Sequence, residues 1–373
     1  MEYPEAASTI EKRMISHAAV SQRPVNGSIE LLPLCNMNCD MCYVRLDRAQ
    51  MERLGRIRTA DEWICLAREM EKAGVLFLLL TGGEPLLFPD FQKLYLELKR
   101  IGMILTINTN GTLLGEEWAD FFGKYKPRRI NITLYGADDR AYETLCHYPG
   151  GFHKTVQAVR LLRERNVDVK LNGSVTRENY GDMKKIYRIA EEVGVPIHMD
   201  TYMLPGIRER SLPFERQSRL EPELAARARV EALREEMHPE AFRSYAAQTL
   251  RQMDREKAVY PGQISCMAGN CSFAINWKGQ IRPCLTLEEP TISVFEHGFE
   301  EAWGQISEGA KKFCLNEKCT HCRLRPVCQV CVSSAVLETG SYEKVPEYLC
   351  RYARESERLL REEWRKFGNG PDV

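Results

Sequence analysis

The chain has 373 residues, enough for two domains with cores of their own. Its 52 basic residues balance 52 acidic ones, which argues against a nucleic-acid partner, and no apolar run approaches a membrane span. The N-terminus carries no secretion signal, so the expected location is cytoplasmic, where fourteen cysteines point to metal ligation rather than disulfides.

Residues 1–24 read as a short polar lead with a weak helical pattern around 10–17. Strands and helices then alternate. Residues 29–34 are an apolar run expected as a strand. Residues 60–73 hold Trp63, Leu66 and Met70 at helical spacing, with Cys65 expected as a core residue on the same stripe. Strand 75–80 leads to helix 91–101, strand 103–108 to helix 116–124, and strand 129–134 to helix 152–166. Strand 168–175 precedes helix 180–193, which Gly194 is placed to stop, and a sixth strand covers 196–201. This alternation calls for an α/β fold of parallel strands with helical crossovers. Residues 211–262 change character. Pro213 and Pro222 bracket a turn, 223–236 form a charged amphipathic helix, and Pro239 restarts a second helix to about 257. We read this as a helical linker packed on the sheet, its charges a solvated face. Residues 263–352 are a cysteine domain with a hairpin around Gly279. Residues 353–373 finish a helix begun near 347 and end in a tail expected to fray.

The chemistry centres on Cys35, Cys39 and Cys42, spaced by three residues and then two, followed by Tyr43. Three thiolates from one loop after a strand can wrap a four-iron cluster and leave one iron without a protein ligand. A structural zinc loop is the alternative. One strand later comes Thr81, Gly82, Gly83, Glu84, Pro85, whose glycines permit close backbone approach and whose glutamate accepts from an ammonium group. Together these motifs resemble the radical S-adenosylmethionine (SAM) superfamily. The resemblance implies an open, partial (β/α)6 barrel of TIM type over residues 25–210, with chemistry at the C-terminal strand ends. It implies a cluster on Cys35, Cys39 and Cys42 whose open iron SAM chelates. Gly82, Gly83 and Glu84 would hold the SAM amine, and Tyr43 would lie near the adenine. Further pocket candidates at strand ends are Thr109, Asn110, Thr133, Asn172 and Ser174, each equally readable as a turn or capping residue.

The later cysteines include two Cys-x-x-Cys pairs, an ordinary zinc-ribbon signature. After a radical SAM core they resemble instead the SPASM extension with two auxiliary four-iron clusters, three clusters in all. Carried over by position, one auxiliary cluster takes Cys266, Cys271, Cys284 and Cys331, and the other Cys319, Cys322, Cys328 and Cys350. Two residues separate Cys328 from Cys331 where the family usually has three, and Cys314 is left over.

The resemblance implies one-electron cleavage of SAM to methionine and a 5′-deoxyadenosyl radical, which abstracts hydrogen from an unactivated carbon. Cys146 stands near a position where relatives often carry an arginine. It reads either as a hydrogen-atom donor to a product radical or as a core cysteine on a stripe with Tyr142. Asp200, beside His198, reads as a base, an ammonium anchor, or half of a structural pair. The leading function is maturation of a ribosomally made peptide by a thioether or carbon–carbon crosslink, or by epimerisation. A formylglycine-forming, anaerobic sulfatase-maturase-like enzyme is the second reading. Such relatives usually place an aspartate where this chain has Leu285. A zinc or redox-carrier protein without catalysis is the third. The partners implied are the peptide or protein substrate and an electron donor such as flavodoxin or ferredoxin. Residues 1–24 leave no room for a leader-gripping domain, so a separate leader-binding protein completes the expectation.

Overall fold

The computed structural model describes residues 9–205, 212–255, 259–264 and 266–368. The first eight residues, the end of the helix expected to reach 257, and the tail beyond Gly368 lie outside them.

The first half runs α1 (Thr9–Val20), β1 (Asn26–Glu30), α2 (Arg48–Leu54), α3 (Ala60–Ala73), β2 (Phe77–Thr81), α4 (Phe91–Ile101), β3 (Ile104–Thr109), α5 (Glu116–Lys124) and β4 (Arg129–Thr133). It continues with α6 (Asp139–Cys146), α7 (Gly151–Glu164), β5 (Val169–Ser174), α8 (Met183–Glu192) and β6 (Ile197–Asp200). Local chemistry sets the boundaries. Thr59 caps α3 through a reciprocal pair with Glu62, and Gly74 ends it in the left-handed region at φ +101°. The six strands are all parallel, each beside its neighbour in sequence. They form a partial (β/α)6 barrel.

Alternation along the strands divides two faces. Ile29, Leu80, Ile107, Ile132, Leu171 and Met199 are fully or nearly fully buried against the helices and form the main core. The opposite, inner face is polar and only partly covered. It carries Asn108, Asn131, Thr133, Lys170, Asn172, Ser174 and His198. Helix α1 closes the N-terminal end, packing Met14, Ile15 and Ala18 on Phe77 and Ile104.

The second half is α9 (Pro222–Glu236), α10 (Pro239–Met253), β7 (Ser272–Ile275), β8 (Gln280–Arg282), β9 (Ile292–Ser293), α11 (Val294–His297), α12 (Phe299–Ala310), α13 (Glu317–Thr320), α14 (Val332–Thr339) and α15 (Glu347–Lys366). Strand β7 pairs in parallel with β1, with Ile29 opposite Ile275, and β8 and β9 follow antiparallel, so one nine-stranded sheet runs through both halves. Helices α9, α10 and α15 pack together at the β6 edge. No helix among the described residues is long and apolar enough to cross a membrane.

Candidate active site

Beyond β1 the chain stays extended through Leu31–Leu34 and runs beside the loop after β2. Leu31 N donates to Thr81 O (2.9 Å), Gly83 N to Leu32 O (2.8 Å) and Glu84 N to Leu34 O (2.9 Å). A Cβ at Gly82, where φ is +135°, would stand 2.5 Å from Leu32 O, and one at Gly83 would stand 2.2 Å from Leu34 O. Both glycines are therefore required by the joining of these two loops. Their close approach is to backbone, where the sequence suggested a ligand.

The joined loops carry Cys35, Cys39 and Cys42 over the C-terminal ends of β1 and β2. None of the three is in a disulfide. Met37 N donates to Cys35 Sγ (3.4 Å), Arg45 N to Cys42 Sγ (3.3 Å), and Asn110 Nδ2 reaches Cys35 Sγ at 3.6 Å. Burial foremost, with Glu84, Cys39 and Cys42 adding to it against the Met37 N–H, pushes the Cys35 thiol up to about 12. Donors aimed at sulfur suit metal-bound thiolates. Among the described residues no three His, Cys, Asp or Glu side chains gather as ligands of one metal ion would. Three thiolates from one loop fit a four-iron cluster, each on a different iron with the fourth iron left open.

Glu84 is fully buried beside this loop. Thr109 Oγ1 donates to both its carboxylate oxygens (2.8 and 2.9 Å), Asn110 N to Oε2 (2.9 Å) and Leu86 N to Oε1 (3.1 Å). Burial outweighs these donors and lifts the carboxyl to about 7. Sequence reasoning missed the next layer. Asn110 Nδ2 also holds Asn36 Oδ1 (2.9 Å), and Asn36 Nδ2 holds Thr112 Oγ1 (2.8 Å), tying the β3 loop to the cysteine loop. Tyr43, 43% exposed, lies within electrostatic reach of Cys42, Glu30, Arg282 and Cys284.

On the inner face Thr133 pairs with Asn172 and Ser174 with Asp200. Asn131 Nδ2 donates to Asn108 Oδ1 (2.8 Å), a pair that the alternation of β4 could have revealed. His198 stands between Asp200 (3.4 Å) and Glu236 (2.9 Å), which also accepts from Tyr187 and Met199 N. Asp200 and then Glu236 raise His198 to about 9, so it is charged at neutral pH. Asp200 is thereby half of an ion pair with His198. Because the folded-state value lies above 6.5, this pair stabilises the protein fully below pH 6.5, and the contribution is lost as pH rises through 9. Glu236→Gln is expected to cost about 1 kcal/mol at pH 7. It should also flatten the fall in melting temperature between pH 7 and 9.5. A variant with the wild-type profile would show that the pair does not set that slope.

Cys146, the last residue of α6, is fully buried, and its carbonyl accepts from Asn38 N (3.0 Å). It belongs to the core with Tyr142 and Leu145. Cys65 is exposed, not core.

Residues 29–208 match the family model described as Radical SAM superfamily. These residues form a radical SAM domain. Over 353 residues it is 25% identical to the AdoMet-dependent heme synthase of Methanosarcina barkeri, covering 90% of this chain and 98% of that one. It is 26% identical over 316 residues to the PqqA peptide cyclase of Granulibacter bethesdensis, covering 82% and 81%. The solved structure of native anSMEcpe with bound AdoMet shares the fold at TM-score 0.68 and 18% identity, covering 93% and 99%. SuiB of Streptococcus suis bound to precursor peptide SuiA does so at 0.65 and 17%, covering 94% and 82%.

Outside the radical SAM match, burial raises the Cys266 thiol, with Cys284 and Cys331 also raising it, and burial and then Cys266 raise Cys271. Burial foremost, with Cys350 and Cys319 adding to it, pushes Cys328 up to about 12, and Cys350 in turn feels Cys319 and Cys322. Cys314 is exposed, close against Gly262. Glu30 carries a buried ion pair, Arg282 Nη2 on Glu30 Oε2 (3.1 Å).

Proposed function

We propose that this chain binds a SAM-ligating four-iron cluster on Cys35, Cys39 and Cys42, holds two closed auxiliary clusters on its later thiols, and modifies a ribosomally made peptide. The observation that carries the reading is the three-thiol loop joined through backbone to the buried Glu84. When bound, cluster and SAM supply one electron and a 5′-deoxyadenosyl radical. The residues present do the rest. Thr109 and Asn110 hold the Glu84 carboxylate in place for an ammonium group. The loop junction keeps the site dry, and the polar inner face, with Thr133, Asn172 and Ser174, takes SAM and the substrate. Tyr43, within electrostatic reach of Cys42 and Cys284, would lie near the adenine. The sets Cys266, Cys271, Cys284, Cys331 and Cys319, Cys322, Cys328, Cys350 would each close one cluster, suited to electron transfer.

Peptide maturation is supported by the similarity to a PqqA peptide cyclase over most of both chains. A haem-forming activity is the second reading, favoured by the near-complete span of the Methanosarcina relative. Anaerobic incubation with dithionite and SAM should yield 5′-deoxyadenosine. A mass change in a short peptide encoded next to this reading frame would support the first reading. Turnover only of a haem precursor would overturn it.

The Glu84 carboxyl gives a pH test. Its folded-state value of about 7 lies above the ordinary 4.5, so without a ligand its ionisation costs stability as pH climbs through that window. A SAM ammonium favours the ionised form. SAM affinity is therefore expected to rise nearly tenfold per pH unit below 7 and level off above it. Glu84→Gln should bind weakly with a flat profile. Calorimetry on cluster-loaded protein checks this, and a pH-independent wild type would remove Glu84 from the amine site.

A further inference from the structure

We propose that the groove on the outer, helical side of the barrel, between α7, α8 and the loop before α5, is the docking site of an acidic protein electron carrier that reduces the SAM-ligating cluster. This deepens the reading above and rests on Cys35, Cys39 and Cys42 holding that cluster.

The groove has a volume of about 900 Å³ and an apolar wall of Leu113, Val156, Ile189 and Val193. Such a wall excludes water from a contact made against it. Charge stands at the rim. Lys154 and Arg160 lie on the exposed face of α7, and Glu192, at the end of α8, is the one carboxylate among the described lining residues. Arg163, in the last turn of α7, reaches Gly194 just past α8. His153, also on the rim, is already bonded to Asp139. Three cations, Lys154, Arg160 and Arg163, against the single Glu192 make the groove complementary to an acidic surface. Flavodoxins and ferredoxins, small acidic proteins that give up single electrons, have that chemistry.

The far wall of the groove leads to the three-thiol loop. Thr112 belongs to the lining. Its Oγ1 accepts from Asn36 Nδ2 (2.8 Å) and donates to Asn110 Oδ1 (2.7 Å), and Asn110 Nδ2 reaches Cys35 Sγ at 3.6 Å. A carrier seated against Thr112 is therefore two hydrogen bonds from Cys35 sulfur, the first to Asn110 and the second from it. One electron leaves the reduced carrier, which is oxidised, and enters the cluster, which is reduced; no proton or atom moves. The groove lies outside the barrel, so the inner face stays open to SAM and substrate while the carrier is bound.

The test uses the cluster-loaded protein with a flavodoxin as probe. Calorimetry measures its affinity for the oxidised carrier at low salt, and 5′-deoxyadenosine is followed with reduced flavodoxin and, separately, with dithionite. Lys154→Glu/Arg160→Glu is expected to weaken binding about tenfold or more and to slow the flavodoxin-driven reaction, leaving the dithionite-driven one at the wild-type rate. Glu192→Lys should tighten binding. Arg251→Glu, an exposed charge reversal on α10, should leave it unchanged. All four side chains are exposed, so the variants keep the fold. Wild-type affinity in the double variant, an equal loss in Arg251→Glu, or loss of the dithionite-driven reaction in the double variant overturns the docking site. So does a wild type that dithionite reduces but neither flavodoxin nor ferredoxin binds. A wild type that forms no 5′-deoxyadenosine even with dithionite overturns the cluster reading itself, and the inference with it.

Discussion

Cys39→Ala is expected to abolish SAM cleavage while the chain keeps about eight of about twelve irons. Cys39 lies at the centre of the three-thiol loop, and that loop is positioned by backbone. Leu31–Leu34 bond to Thr81, Gly83 and Glu84, and Asn38 and Asp40 bond to the end of α6. Removing one sulfur therefore removes a ligand and leaves the loop in place. On the proposed assignment the later thiols hold clusters of their own, so their irons should survive. Cys146 is buried at the end of α6, where its carbonyl accepts from Asn38 N, so the double variant Cys39→Ala/Cys146→Ala tests whether its thiol takes the vacant place. Iron analysis and 5′-deoxyadenosine after dithionite reduction are the measurements. Cleavage retained in the double variant, or loss of all iron in the single one, would overturn the assignment of this loop.

Much of the barrel is legible because its signals are local. Helices α3, α4, α5 and α15 fall where apolar spacing and caps place them, with Thr59 opening α3 and Gly74 and Gly102 ending α3 and α4. Helices α2 and α6, of seven and eight residues, are too short to show a period. Their capping residues Asp47 and Asp138 are the signals that could have revealed them. The strand expected over 29–34 is β1 at Asn26–Glu30, because Leu31–Leu34 are covered by the Gly82-Gly83 loop rather than by a longer ladder. Cys65 lies two residues from Trp63, about 200° around the helix, and so faces solvent. The extension of the barrel sheet by β7, β8 and β9 has no local signature. Nor has the Glu30–Arg282 pair, whose partners lie 252 residues apart. The motifs name the site; the contacts that order it are set by packing between distant segments.

The contact between Arg219 and Glu338 carries the other large expected effect, because it joins the β6 end of the barrel to the cysteine region. Arg219 precedes α9 and Glu338 lies in α14. Their side chains are 3% and 8% exposed, and they form an ion pair. Tyr202, just beyond β6, donates to Glu338 (2.8 Å), and the Arg219 guanidinium lies 4.2 Å from the Tyr348 ring centre. Arg219→Ala leaves a buried carboxylate without its cation and should destabilise by about 3–5 kcal/mol. Glu338→Gln strands the cation instead and should cost a similar amount. The double variant Arg219→Met/Glu338→Leu removes both charges and is expected to lie closer to wild type than either single variant. Cys350 sits on α15 two residues past Tyr348, and Cys331 caps α14. Loosening this joint should therefore release auxiliary irons before those of the Cys35 loop. Urea midpoints of the cluster-loaded proteins, with iron followed alongside, test both parts. A stable Arg219→Ala, or a double variant as weak as the singles, would show that the joint is held by the aromatic contacts of Tyr202, Tyr348 and Tyr352 rather than by the buried charge pair.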